Sequence, residues 1–123
     1  MTDKFISVYQ AEHERDARIK QYKKLMVAHP GRIPVIIEKA KNTATPQPDI
    51  KQSRYLFPAD TTVSNIYCIV RKFLSHIKPN ESFYLFTDNI LLNSADTLDT
   101  VYTKHKDDDG FLYIYYSVED TFG

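Results

Sequence analysis

The chain is poor in the residues that build disulfide frameworks and phosphate-binding loops. Its 123 residues include one cysteine, three glycines and no tryptophan. A lone cysteine can form neither an internal disulfide nor a cysteine-only metal cluster, which suits a reducing compartment. Glycine occurs only at positions 31, 110 and 123, so no glycine-rich loop can cradle a phosphate. These absences exclude several enzyme classes and favour a cytoplasmic address.

Long apolar runs are also missing. No stretch approaches the roughly 20 apolar residues that span a bilayer, and residues 1–10 lack the apolar segment of a secretory signal. We therefore expect any membrane attachment to be acquired after synthesis. A chain of 123 residues is long enough to bury a core without a metal or a disulfide. The sequence predicts one domain over residues 1–123.

Charge is balanced overall but unevenly distributed. Of the 16 basic and 16 acidic residues, residues 1–54 hold 11 and 6, so the two parts of the chain carry about +5 and −5. This asymmetry predicts a basic face and an acidic face, and partners with acidic segments rather than nucleic acid. The alternative is a solvated basic helix with no partner.

Residues capable of catalysis or metal binding do not combine into a site. Cys68 lies off the apolar stripe of its predicted helix, and the nearest histidine on that helix, His76, is two turns away. Residues 107–109 have the composition of a turn. The histidines, which show no metal-ligand spacing, are His13, His29, His76 and His105. The sequence therefore predicts no enzyme, no metal site and no cofactor.

Apolar residues at intervals of three and four predict the helices. The first long helix covers about residues 12–28, is amphipathic and basic, and ends at the stop formed by His29, Pro30 and Gly31. Its basic residues are Arg18, Lys20, Lys23 and Lys24. A second helix covers residues 63–77 after a capping segment at 60–62. A short helix is predicted at residues 97–105.

β-Branched and aromatic runs predict five strands, at residues 32–38, 55–58, 83–87, 90–92 and 111–118. In the first strand, Ile33, Val35 and Ile37 share one face. Pro34 and Ile36 share the other face, and the proline argues against an ordinary central ladder at this point. The order of elements is that of an α+β fold, the β-grasp, in which the last strand returns inside the sheet.

Several segments together form a recognisable set. They are Pro30 to Ala40, Arg54 to Asp60, Arg71-Lys72, Ser94-Ala95, Val101-Tyr102, Asp109 to Tyr113 and the terminal Gly123. The set resembles the autophagy-related ubiquitin-like modifiers, the family of GABA-receptor-associated protein and microtubule-associated protein light chain three. This resemblance implies a ubiquitin-like core at residues 29–123, preceded by a helical extension at residues 1–28 with a short first helix near residues 3–9.

The chain departs from the family pattern in three places. Residues 14–17 replace the usual Pro-Phe opening, the loop at 41–50 looks about two residues longer, and Thr61 stands where leucine is common. These departures bear on the choice of partner more than on the fold.

For Gly123 the resemblance implies a chemical role. Its carboxylate would be adenylated, passed as a thioester between cysteines of an activating and a conjugating enzyme, and joined to phosphatidylethanolamine on autophagosomal and other membranes. Glycine suits this chemistry because it has no Cβ and leaves the carbonyl open to attack. We expect the tail from Ser117 to Phe122 to extend from the core. Taken without the resemblance, Gly123 is only a chain end.

Relatives commonly carry extra residues that a cysteine protease removes, and the same kind of protease would deconjugate the lipid. The present sequence stops at Gly123. Either the protein is synthesised ready for activation or a mature form was cloned.

The resemblance also implies a groove for cargo receptors and adaptors. Their motif, aromatic-any-any-aliphatic and usually preceded by acidic residues, would add a strand beside the second strand of the sheet. The residues implied for the aromatic pocket are Gln21, Leu25, Pro34, Ile36, Arg54, Leu56 and Phe111. Those implied for the aliphatic pocket are Tyr55, Phe57, Pro58, Thr61, Ile66 and Ile69. The alternatives are that these are ordinary core residues, and that the chain is an unconjugated interaction module or trafficking adaptor.

Overall fold

A computed structural model of the chain describes residues 7–40, 53–74 and 81–120. The helices in these ranges are α1 (Val8–Glu12), α2 (Arg15–Ala28), α3 (Val63–Phe73) and α4 (Leu98–His105). The strands are β1 (Arg32–Lys39), β2 (Arg54–Pro58), β3 (Glu81–Thr87), β4 (Ile90–Leu91) and β5 (Leu112–Asp120). The expectations for residues 3–6, for the loop at 41–50, for Ile77 and for Gly123 lie outside the described residues.

The five strands form one sheet in the order β2-β1-β5-β3-β4. β1 and β5 are parallel, and the other neighbouring pairs are antiparallel. The last strand therefore returns to the middle of the sheet, as the β-grasp order predicted. Its pairing with β3 continues to Asp120, so residues 117–120 belong to the sheet. The prediction that the tail leaves the core at Ser117 is wrong.

Alternation along the strands separates two apolar clusters on opposite faces of the sheet. Ile33, Val35 and Ile37 face α3 and belong to the main core with Ile66 and Val70. On the other face, Ile36 clusters with Phe111, Tyr113, Tyr115 and Tyr9, and Tyr22 and Leu25 pack against them. The face assignments made for the first strand are confirmed.

The N-terminal segment forms two helices whose bounds differ from those expected. A break at His13 and Glu14 separates α1 from α2, so the long helix begins at Arg15 rather than near residue 12. No residue of α2 is fully buried. Two polar contacts hold this segment on the sheet: the Glu38 carboxylate accepts from the amides of Val8 and Tyr9 at 3.2 and 2.9 Å, and Arg18 pairs with Asp109.

Pro34 lies in an interior strand, between β2 and β5. The parallel pairing of β1 with β5 begins only at Val35, so Pro34 is paired with β2 alone, opposite Leu56. The backbone amide of Ile37 donates to the carbonyl of Ser53. Because hydrogen-bonded pairs alternate along an antiparallel ladder, Pro34 occupies a pair that needs no N–H. The strand therefore accommodates the proline without losing a ladder bond to β2.

Candidate functional site

β2 lies at one edge of the sheet, where an added strand can pair. Ile37 and Ser53 form a hydrogen-bonded pair, so the alternation places Leu56 in a non-bonded pair with Pro34. The backbone amide and carbonyl of Leu56 consequently point away from the sheet. An extended peptide lying along β2 meets these two groups first.

A cleft of about 760 Å³ lies beside this edge, between α2 and β2. It brings together five of the seven residues expected for the aromatic pocket. Its lining consists of Gln21 and Leu25 from α2, Ser53, Arg54, Tyr55 and Leu56 from β2 and its approach, and Phe111 before β5. Arg54 and Leu56 share a face because they are two residues apart on a strand. The lining therefore combines the apolar side chains of Leu25 and Phe111 with the cation of Arg54.

Gly110 allows α2 to approach the start of β5. Its φ is 98°, a backbone conformation that side chains disfavour, and a Cβ added there would collide with the ring of Tyr22. Tyr22 in turn packs edge-on against Phe111, with ring centroids 6.2 Å apart. This close contact fixes the wall of the cleft that Phe111 forms.

Two residues expected in the aromatic pocket lie deeper than the surface of the cleft. Pro34 is buried, and Ile36 is fully enclosed in the cluster that contains Phe111. Neither residue lines the cleft. Ile36 packs beneath the lining residues in the core. It supports them and does not itself reach the surface of the cleft, where it was expected.

The six residues expected for the aliphatic pocket lie on or near the opposite face. The rings of Tyr55 and Phe57 stack in parallel, with centroids 5.3 Å apart and 10° between their planes. Phe57 is buried and Ile66 is fully enclosed, whereas Tyr55, Thr61 and Ile69 are half-buried. Pro58 is exposed. Ile66 can therefore shape such a pocket only through its neighbours, and the pocket itself stays a prediction.

Arg18 differs from the other basic residues of α2. Its Nε donates to a carboxylate oxygen of Asp109 at 2.8 Å, and the Asp109 side chain is fully buried. The Arg18 Nη1 also donates to the carbonyls of Gln10 and His13. Arg18 is therefore neutralised by Asp109 and does not belong to the basic face that the charge asymmetry predicted. Lys20, Lys23 and Lys24 remain exposed on α2.

A second, smaller hollow adjoins the cleft and shares Ser53 and Arg54 with it. The Arg54 guanidinium hydrogen-bonds the hydroxyl of Tyr9 and acts to lower the pKa of that tyrosine, although burial raises it overall. No sequence pattern indicated this hollow, because α1 reaches β2 only through tertiary packing. Its remaining lining residues are Val8, Glu12, His13 and Glu38.

Other expected features can be located in the described part of the chain. Cys68 is an exposed thiol on α3. The described residues contain no group of three His, Cys, Asp or Glu side chains arranged to hold a metal ion. Among the described helices, none combines the length and apolar character needed to cross a membrane.

Comparison with known proteins identifies the family. The profile described as "Autophagy protein Atg8 ubiquitin like" matches residues 17–123. The chain belongs to the Atg8 family. It is 40% identical over 118 residues to autophagy-related protein 8d of Arabidopsis thaliana, and the alignment covers 96% of each chain. It is 38% identical over 117 residues to autophagy-related protein 8 of Mycosarcoma maydis, covering 95% of this chain and 97% of the relative.

The fold agrees with this membership of the Atg8 family. A crystal structure of Trypanosoma brucei ATG8 superimposes with a TM-score of 0.81 at 32% identity, covering 96% of this chain and 99% of the other. The ubiquitin-like fold with additional N-terminal helices is thereby confirmed. The chain is an Atg8-family, autophagy-related ubiquitin-like protein.

Proposed function

We propose that this Atg8-family protein is a modifier that is joined to phosphatidylethanolamine through the carboxylate of Gly123 and recruits cargo receptors and adaptors through the cleft beside β2. An activating enzyme, a conjugating enzyme and a deconjugating cysteine protease are its partners in the first role. The protein itself supplies no catalytic group. It is cytoplasmic before conjugation and bound to autophagosomal or other membranes afterwards.

The cleft is the observation that carries the recruitment role. Leu25, Leu56 and Phe111 give the cleft apolar side chains against which an aromatic side chain can pack. The outward amide and carbonyl of Leu56 provide the backbone partners of an added strand. The expected aliphatic pocket, with Pro58 and Thr61 near its mouth, lies further along β2. A peptide that fills both pockets places its aromatic residue near Arg54 and its aliphatic residue near Pro58.

The cleft can be tested by titrating an aromatic-any-any-leucine peptide. Leu56→Ala removes an apolar anchor and should weaken binding by about 2 kcal/mol, roughly thirtyfold. Leu91→Ala is the matched control, because Leu91 is an exposed leucine on β4. This strand lies at the opposite edge of the sheet from β2. It should leave the affinity unchanged. Equal affinity for parent and folded Leu56→Ala would mean that peptides bind elsewhere or not at all.

The conjugation role rests on family membership, since the matched profile extends to residue 123. β5 is paired with β3 as far as Asp120, and three residues follow it in the sequence. Three extended residues reach at most about 10 Å. An enzyme that acts on Gly123 must therefore approach the end of β5 closely or separate its last pairs from β3.

Gly123→Ala tests conjugation directly. The added methyl group hinders attack at the terminal carbonyl while leaving the described core untouched. We expect the membrane-bound, detergent-extractable form to be lost, and Leu56→Ala, altered only in the cleft, to retain it. Equal membrane recovery of Gly123→Ala and parent would leave an unconjugated ubiquitin-fold interaction module as the better description.

A further inference from the structure

A hollow lies beside the cleft, on the side away from the expected aliphatic pocket. The hollow encloses about 220 Å³ and meets the cleft at Ser53 and Arg54. The expected aliphatic pocket lies in the other direction along β2, toward Pro58. In an aromatic-any-any-aliphatic motif, the chain that precedes the aromatic residue therefore runs toward the hollow.

Two of the three charged side chains in the hollow already have partners. Glu38 accepts from the amides of Val8 and Tyr9, which directs its carboxylate toward the start of α1. Arg54 hydrogen-bonds the Tyr9 hydroxyl. Each of these side chains would have to give up or share a contact to bind a peptide charge. Both side chains keep their charge, because their partners are neutral, but the two charges have opposite signs and largely offset each other at the hollow.

Glu12 is the third charged side chain of the hollow. It is exposed at the end of α1 and makes no side-chain hydrogen bond or ion pair within the described residues. The Tyr9 ring, which lies against the His13 ring with centroids 4.6 Å apart, gives the hollow an aromatic side. A carboxylate beside an aromatic ring favours a cationic side chain.

We infer that the hollow accepts a lysine or arginine side chain from the residue immediately before the aromatic anchor, with Glu12 as its partner. This inference rests on the proposed peptide-binding function and reverses, at that one position, the acidic preference that the family resemblance implies. Acidic residues elsewhere in a peptide still experience the exposed lysines of α2. Glu12 is thus a specificity-determining residue of the cleft.

Three peptides that differ only at this position test the inference. Each has the same aromatic-any-any-leucine core, preceded by Lys, Gln or Glu, and each is titrated into the parent at low salt. We expect the Lys peptide to bind roughly fivefold more tightly than the Glu peptide, with Gln between them, which is the scale of an exposed ion pair. The difference should shrink as salt is added.

Two variants, each of which replaces a carboxylate by an uncharged amide, locate the effect. In Glu12→Gln the Lys and Gln peptides should bind equally well. Glu14→Gln is the matched control, because Glu14 is also exposed but does not line the hollow, and it should keep the ranking of the parent. Tighter binding of the Glu peptide to the parent, or an unchanged ranking in Glu12→Gln, would overturn the inference.

Failure of the inference and failure of the cleft are distinguishable. If all three peptides bind the parent equally and Leu56→Ala weakens them all, the cleft is correct and the role of Glu12 is wrong. If no peptide binds the parent, the proposed cleft fails and the role of Glu12 fails with it.

Discussion

Asp109 is the residue on which the packing of α2 against the sheet depends most. Its buried carboxylate accepts from the Arg18 guanidinium, from the Tyr113 hydroxyl and from the Phe111 amide. Burial and this carboxylate together raise the pKa of Tyr113, which therefore stays a proton donor. One side chain thus connects the N-terminal helix, the turn before β5 and β5 itself.

Asp109→Asn should destabilise the protein substantially. The amide leaves the nearly buried Arg18 without its counter-charge, and breaking one side of a buried pair costs about 3 kcal/mol. Urea unfolding measures the loss. Asp108→Asn, at the exposed neighbouring position, should change the free energy of unfolding by less than about 0.5 kcal/mol. Similar losses in the two variants would contradict the role given to Asp109.

Buried tyrosines predict a loss of stability in alkaline solution. Burial is the largest cause of the raised pKa of Tyr102, Tyr113 and Tyr115. As the pH rises above about 10, the unfolded chain releases these protons first, so the stability that is complete below pH 10 falls. Each such tyrosine contributes about 1.4 kcal/mol per pH unit to the slope. The folded state is therefore the form that holds the phenolic protons.

Measurement of the free energy of unfolding from pH 8 to 11.5 checks this expectation. Tyr115→Phe should give a shallower decline above pH 10. Tyr84→Phe, at an exposed position on β3, should keep the parent slope. A stability that stays flat to pH 11.5 would contradict the assignment.

At the scale of elements, α1 depends on a residue of β1. α1 has only five residues, too few to be stable alone, and the Glu38 carboxylate accepts from two amides in its first turn. Glu38→Ala removes both acceptors. The amides of residues 8–12 should then exchange hydrogen faster, while those of α3 keep their protection. Glu12→Gln is the control, and equal exchange of α1 in Glu38→Ala and parent would show that α1 is held by other contacts.

Sequence patterns predicted the faces of the strands better than the bounds of the N-terminal helices. Period-two alternation placed Ile33, Val35 and Ile37 correctly, because residues two apart on a strand share a face whatever its partners. The helix bounds at the N-terminus were less accurate. The break at His13 and Glu14 contains neither proline nor glycine, and it depends on contacts such as Arg18 with the His13 carbonyl. Arg18 is itself held by Asp109, 91 residues away in the sequence, and such a long-range contact leaves no periodic signal.

At the scale of the whole molecule, the β-grasp order was predictable because each element had a local signal. The set of residues that lines the cleft was harder to predict from the sequence. Gln21, Leu25, Arg54, Leu56 and Phe111 come from three distant parts of the chain, and only the family resemblance indicated that they meet. The pairing of Arg18 and the hollow at Glu12 had no signal of either kind. The charge asymmetry of the chain likewise did not reveal that Arg18 is neutralised by Asp109.

We propose above that the terminus of this Atg8-family protein becomes attached to a lipid. Intact-mass analysis of the protein recovered from cell membranes tests it most directly. We expect a mass raised by one phosphatidylethanolamine less one water, with fragmentation placing the addition on Gly123. A membrane-bound protein of unmodified mass would show that the terminus is not conjugated.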